Sequence, residues 1–139
     1  MLVREVMTKN VVTIDENKSV YDACMIYKNK AVGSLIVTKN KNHTGIITER
    51  NLIERTICEK RDPAKTLVSD IMTKDVKTVN PLDSIENSLE KMKEYNIKKL
   101  PVVMNEEIVG IITVTDISRA RPNLSERFMD SWVKPRWED

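Results

Sequence analysis

GIITERN, residues 45–51, returns with its first four letters intact as GIITVTD, residues 110–116. The offset is 65 positions (110 − 45). Sliding the chain over itself by that amount pairs Val3 with Val68 and runs without a gap to Ile53 with Ser118; 15 of these 51 pairs are identical. Chance at ordinary residue usage gives about three. The identities include Met7/Met72, Thr8/Thr73, Lys9/Lys74, Val11/Val76, Thr13/Thr78 and Ser19/Ser84. The chain is therefore an internal duplication, and its fold has to be one that two short units of the same pattern can build.

Working outward from GIIT, each copy carries the same order of local signals. A β-branched segment comes first, VVTI at 11–14 and VKTV at 76–79, and predicts a short strand. Ser19 and Ser84 then stand where an N-cap hydroxyl accepts from an unpaired helix N–H. Behind them Val20, Ala23, Cys24 and Tyr27, and Ile85, Leu89 and Met92, recur at helical spacing. Two apolar runs follow across a polar turn: SLIV, KNKNHT and GIIT in the first copy, LPVVM, NEE and IVGIIT in the second. These predict hairpins. Helical spacing resumes with Leu52, Ile53 and Ile57, and with Ile117. Each copy thus reads β-α-β-β-α, an α+β class, and Pro63 ends the last helix of the first copy. A unit of about 60 residues is marginal alone, so the two copies are expected to pack on each other about a pseudo-twofold axis.

Composition narrows the function classes. The 23 Lys and Arg against 21 Asp and Glu leave a net charge of +2, too small to argue for a nucleic-acid coat. Two cysteines, Cys24 and Cys58, and one histidine, His43, form neither a disulfide framework nor a zinc pattern. The cysteines read as core residues on helical stripes. His43 reads as an exposed residue of a polar turn rather than a catalytic base. No nucleophile, base and orienting group occur as a set, so catalysis is rejected and no cofactor or metal is expected. Met1–Lys9 lacks an apolar signal core and no run reaches the roughly 20 apolar residues of a membrane span, which predicts a cytoplasmic protein.

The leader VMT (6–8) with its counterpart IMT (71–73), VGSLIV (32–37) with IKKLPVV (97–103), and GIITERNL (45–52) with GIITVTDI (110–117) together resemble the cystathionine beta-synthase (CBS) domain, here as a tandem pair. On this resemblance residues 1–62 are the first CBS domain, 63–121 the second, and 122–139 a tail. The resemblance implies a regulatory module without enzymatic activity. It binds AMP, ADP, ATP or S-adenosylmethionine in clefts between the two motifs, often as a homodimer, senses cellular energy state and signals to another protein. Thr48 and Thr113 would offer a hydroxyl and a helix N-terminus to phosphate, and Asp116 would accept from both ribose hydroxyls. Asn51 keeps that position without the charge, so the two sites are expected to be unequal. Carried over position by position, the site with Thr113 and Asp116 takes base contacts from Val11, Val32 and Gly33. The site with Thr48 and Asn51 takes them from Val76, Ile97 and Lys98. Lys98 and Lys99, where the first copy has Gly33 and Ser34, would either crowd the base or neutralise a phosphate.

The tail, RPNLSERFMDSWVKPRWED, holds Phe128, Trp132 and Trp137, half of the chain's six aromatic residues. Asn123 is expected to cap a helix whose Leu124, Phe128 and Trp132 form one apolar edge, ended by Pro135. That edge predicts docking on a protein surface. The alternative is nucleic-acid binding through Arg127, Lys134 and Arg136 interleaved with aromatics, a charge that Glu126, Asp130, Glu138 and Asp139 dilute. A purely structural dimerisation scaffold remains a third reading.

Overall fold

A computed structural model of the chain describes residues 1–124 and 126. Two compact units make it up: residues 11–76, and residues 1–10 together with the described residues from Lys77 onward. These are not the sequence copies. Each unit consists of the body of one copy and the leader of the other, so the repeat boundary and the compact boundary differ.

In the unit of residues 11–76, β1 (Thr13–Asp15) runs parallel to β2 (Ser34–Lys39), and β3 (Asn42–Thr48) runs antiparallel to β2. The hairpin closes on Asn40 and Lys41, both at positive φ (52° and 70°), the two-residue loop whose twist matches the strands. His43 consequently lies in β3 opposite Thr38 and is half-buried, not in an exposed turn as its polar neighbours suggested. Between the strand ends, α2 (Val20–Asn29) starts at Ser19, whose Oγ accepts from the Asp22 N–H at 3.1 Å. Ile14, Val20, Ala23, Leu35, Val37, Ile47 and Leu52 form the core with Val68 and Ile71 from the leader helix α4 (Val68–Ile71).

The other unit repeats this plan. Here α5 (Ile85–Tyr95) is capped by Ser84, and β4 (Lys99–Met104) and β5 (Glu107–Thr113) pair around Asn105 and Glu106, again at positive φ. Residues 76–79, expected as a strand, contribute only a single parallel bridge from Val79 to Val102. The core joins Ile85, Leu89, Met92, Leu100, Ile112 and Ile117 to Val3 of the leader helix α1 (Val3–Val6).

The glycine of each GIIT is required by its own unit's leader. A Cβ on Gly45 would stand 2.7 Å from Met72 Sδ and 2.8 Å from the Thr73 carbonyl oxygen. On Gly110 it would stand 2.7 Å from Met7 Sδ and 2.9 Å from the Thr8 carbonyl oxygen. The leaders lie that close because they bond to the GIIT strand. Thr73 and Ile46 exchange both backbone hydrogen bonds, as do Thr8 and Ile111.

After GIIT the copies part. In the second, α6 (Val114–Ala120) is an ordinary α-helix. In the first, α3 (Glu49–Leu52) passes directly into a π-helical segment, Ile53–Ile57, in which the Cys58 N–H bonds the Ile53 carbonyl five residues back. The inward face here is Leu52 and Thr56, not the expected stripe. Leu52 stays buried while Ile53 and Ile57 are 57% and 62% exposed.

Both cysteines are also exposed, against the core role their spacing suggested. Beyond Ala120 the chain is helical again from Pro122, whose fixed φ suits a first helical position, so Asn123 lies inside this turn rather than capping it. Leu124 packs on the core of its unit. The expected roles of Phe128, Trp132 and Trp137 and of the basic residues among them lie outside the described residues.

Candidate functional site

Each GIIT strand ends in a threonine that turns the chain into a helix, and the geometry is a reciprocal capping box at both places. Thr113 Oγ1 accepts from the Asp116 N–H at 3.0 Å, and Asp116 Oδ2 accepts from the Thr113 N–H at 3.0 Å. Thr48 Oγ1 accepts from the Asn51 N–H at 3.2 Å, and Asn51 Oδ1 accepts from the Thr48 N–H at 3.1 Å. Two helix-end donors are satisfied in each box. All four side chains belong to half-buried residues at the surface of their units.

The boxes leave different chemistry unused. Asp116 has a second carboxylate oxygen, Oδ1, which accepts from the Thr8 hydroxyl at 3.3 Å. A ligand diol arriving there exchanges one hydroxyl donor for two. Asn51 has one oxygen, which serves the box, and offers an NH2 group where Asp116 has its second oxygen. Thr73, the counterpart of Thr8, does not bond Asn51. Its Oγ1 accepts from Arg55 Nη1 at 3.1 Å, and the same nitrogen donates to the Ile71 carbonyl at 2.9 Å. The repeat equivalent of Arg55 is Ala120. One corner is thus anionic, the other neutral at its cap with a guanidinium beside it.

Thr8, Thr73 and Arg55 were not among the expected site residues. The self-alignment held the signal for the threonines, since 8/73 is an identical pair inside the leader, but nothing in it placed the leader against the other copy's GIIT strand. The helix end is also less open than expected, because the Val114 N–H donates to the Lys98 carbonyl at 3.0 Å. Lys98 itself is exposed and Ile97 is half-buried against the core of its unit. In the unit of residues 11–76, Val11, Val32 and Val76 are half-buried and Gly33 is exposed.

A concavity lies in the unit of residues 11–76, between α2 and the π-helical segment. Its volume is about 240 Å³ and its lining is almost wholly apolar, with Cys24, Tyr27, Thr56 and Ile57 in the walls. Partial desolvation by its neighbours raises the thiol of the otherwise exposed Cys24 above the usual cysteine range. Burial, then the charge of Glu49, then Cys24, hold the Tyr27 phenol well above the usual tyrosine range. Its hydroxyl donates to the Ile47 carbonyl at 2.8 Å. Among the described residues no cluster of His, Cys, Asp and Glu is placed to hold a metal, and no helix is long and apolar enough to cross a membrane.

A duplicated α+β unit with a threonine capping box at each equivalent corner defines a class of paired small domains. The chain belongs to the CBS-domain family: the family model matches residues 3–57 and again 68–123. It is 30% identical over 116 residues to the CBS domain-containing protein YhcV of Bacillus subtilis, covering 84% of this chain and 82% of that one. Two other relatives are longer, and the match spans 40% and 63% of their lengths. Among solved structures, a conserved CBS domain protein of Thermoplasma acidophilum superposes with a TM-score of 0.83 at 26% identity, over 94% of this chain and 75% of that one. The CBS domain pair of protein MJ0100, in complex with 5′-methylthioadenosine and S-adenosyl-L-methionine, superposes with a TM-score of 0.79 at 28% identity, over 88% and 97% of the two chains.

Proposed function

We propose that this chain is a regulatory module that binds adenosyl ligands, AMP, ADP, ATP or S-adenosylmethionine, at its threonine corners and signals their occupancy to a partner protein, without catalysing a reaction. The carrying observation is the Thr113–Asp116 box with its spare carboxylate oxygen held by Thr8. A carboxylate in that position accepts from two vicinal hydroxyls of a ribose in charge-assisted bonds. The Thr113 hydroxyl accepts the capping bond and keeps its own hydrogen to donate to a phosphate or other acceptor. At the Thr48–Asn51 corner the donor character of Asn51 and the nearby Arg55 favour the anionic end of a ligand. The adenosyl ligands of the related MJ0100 pair support the ligand class. Val11, Val32 and Gly33, and Val76, Ile97 and Lys98, keep the base contacts that the family resemblance implies, as part of the same proposal.

Signalling follows from differential affinity: a ligand shifts the module only by as much as it prefers one of two arrangements. We place the protein in the cytoplasm, as a homodimer. Titration calorimetry of the full chain with the four ligands tests the reading, together with sedimentation for the dimer. Binding of at least one ligand, weakened by Asp116→Ala, is the expected result. Absence of binding by all four at millimolar concentration would overturn it.

A further inference from the structure

We propose that the Thr48–Asn51 corner takes a nucleotide whose ribose carries a phosphate ester at its 2′ or 3′ oxygen, while the Thr113–Asp116 corner takes the free diol. The proposal rests on the ligand reading above and names the ligand class of one corner. The repeat supplies its frame. Thr73 and Ile46 exchange the same two backbone bonds as their equivalents Thr8 and Ile111, and the two capping boxes match bond for bond. A ribose edge that meets the spare oxygen of Asp116 at one corner therefore meets the amide nitrogen of Asn51 at the other.

In the unit of residues 11–76 the side-chain groups gathered at that position are donors. The box orients the amide, because only its oxygen can accept from the Thr48 N–H; Nδ2 keeps both hydrogens unused among the described residues. Thr73 Oγ1 accepts from Arg55 Nη1 at 3.1 Å and so retains its own hydrogen to donate. Arg55 is exposed and bonds through Nη1 alone, to Thr73 and to the Ile71 carbonyl at 2.9 Å; its Nε and Nη2 make no bond among the described residues. Its chain neighbour Glu54 is held by Arg50 at 2.6 Å, and no described carboxylate pairs with Arg55. At the other corner the equivalents of Asn51, Thr73 and Arg55 are Asp116, Thr8 and Ala120: a carboxylate, a hydroxyl donating to it at 3.3 Å, and a methyl. A vicinal diol brings the hydrogens that Asp116 accepts, but it gives the guanidinium no counter-charge. A phosphate monoester brings about two negative charges and three strong acceptor oxygens, which suit a planar guanidinium fork with an amide and a hydroxyl beside it. Since the ribose edge faces this position, the phosphate that fits is esterified to that edge and not to the 5′ oxygen.

The test is calorimetry of the full chain with adenosine 2′-phosphate, adenosine 3′-phosphate, the 5′ isomer AMP and inorganic phosphate. At least one of the first two is expected to bind more tightly than inorganic phosphate and to keep its affinity in Asp116→Ala. Arg55→Gln is expected to weaken that isomer roughly tenfold or more, the size of a lost charge-assisted bond, and Arg55→Lys to recover part of the loss. AMP binding at Thr113 and Asp116 is expected to be unchanged in both, which separates a lost contact from a misfolded chain. Asn51→Asp is expected to abolish the preference of this corner for the esterified isomer. Three results would overturn the proposal. One is that neither isomer binds more tightly than inorganic phosphate. Another is isomer binding that is lost in Asp116→Ala and kept in Arg55→Gln, which would assign it to the other corner. The third is an unchanged preference in Asn51→Asp. If AMP binds and both esterified isomers fail, this inference alone falls. If an esterified isomer binds and none of the four ligands named above does, the reading above falls and the assignment of this corner stands.

Discussion

The Thr48–Asn51 corner and the Thr113–Asp116 corner share a backbone, a capping box and a leader threonine, and differ in charge. At one, a carboxylate faces a hydroxyl donor. At the other, an amide uses its one oxygen in the box and a guanidinium holds the leader threonine. The shared part is what the fold needs: a strand end, two satisfied helix donors, and a glycine thin enough for the leader to lie on. The part that differs costs the fold little, since at N3 the amide oxygen of Asn51 accepts the same backbone bond as the Asp116 carboxylate and forgoes only a charge–dipole interaction of about 0.3–1 kcal/mol. Duplication has kept the first and let the second differ, so that one scaffold presents two different sets of polar groups.

The common part should break equally in both units, and with the largest effect. Gly45→Ala and Gly110→Ala each drive a methyl into a backbone carbonyl and a methionine sulfur, and only the sulfur can move. Each is expected to cost about 2–3 kcal/mol in urea unfolding, the upper range for overpacking. A variant with unchanged stability would show that its leader is not held as the other is. The differing part should break asymmetrically. Asp116→Asn removes charge from the diol acceptor and is expected to weaken adenosyl binding about tenfold, about 1.4 kcal/mol, while Asn51→Asp raises it at the other corner. Equal responses to the two exchanges in calorimetry would show that the corners do not differ in the way their charges indicate. The capping hydroxyls come next: Thr48→Ala and Thr113→Ala each lose a bond to a helix N–H, for about 1 kcal/mol of stability.

Much of this architecture was legible in the chain because it is written as periodicity and identity. The 65-residue offset is plain identity, and the serine caps and the hairpins rest on contacts between residues near in sequence, from Asp22 on Ser19 to Thr48 opposite Ser34, where spacing determines geometry. Asn40 and Asn105 pair in the repeat, and both open a turn with positive φ at its two central residues. The leader was only half legible. Thr8 pairs with Thr73 in the alignment, but its neighbours in the fold are Ile111 and Asp116, more than a hundred residues away, and no local pattern encodes that contact. The π-helical segment was not legible either. LIERTI reads as ordinary helix, and only the Cys58 N–H bonding five residues back to the Ile53 carbonyl shows that the turn has widened. Cys24 and Cys58 were misplaced for the same reason: helical spacing says which residues share a face, not what covers that face.

Tyr27 gives the smallest of these effects and the sharpest contrast, because its repeat partner is Met92, which does not titrate. Burial and the nearby Glu49 raise the folded-state pKa of the phenol above the ordinary value of 10.0. Below pH 10 the phenol is protonated in both states and its bond to the Ile47 carbonyl is intact. As pH rises past 10, the unfolded chain releases the proton while the folded unit retains it, so the unfolded state gains and stability falls. The unit of residues 11–76 is therefore expected to lose stability above pH 10 more steeply than the other. Urea midpoints at pH 8 and pH 10.5, followed by hydrogen exchange to separate the units, measure this. Tyr27→Phe is expected to lower the pH 8 midpoint by the loss of one hydrogen bond, about 1 kcal/mol. It is also expected to flatten the alkaline difference between the two units; if that difference persists in Tyr27→Phe, its source is another group.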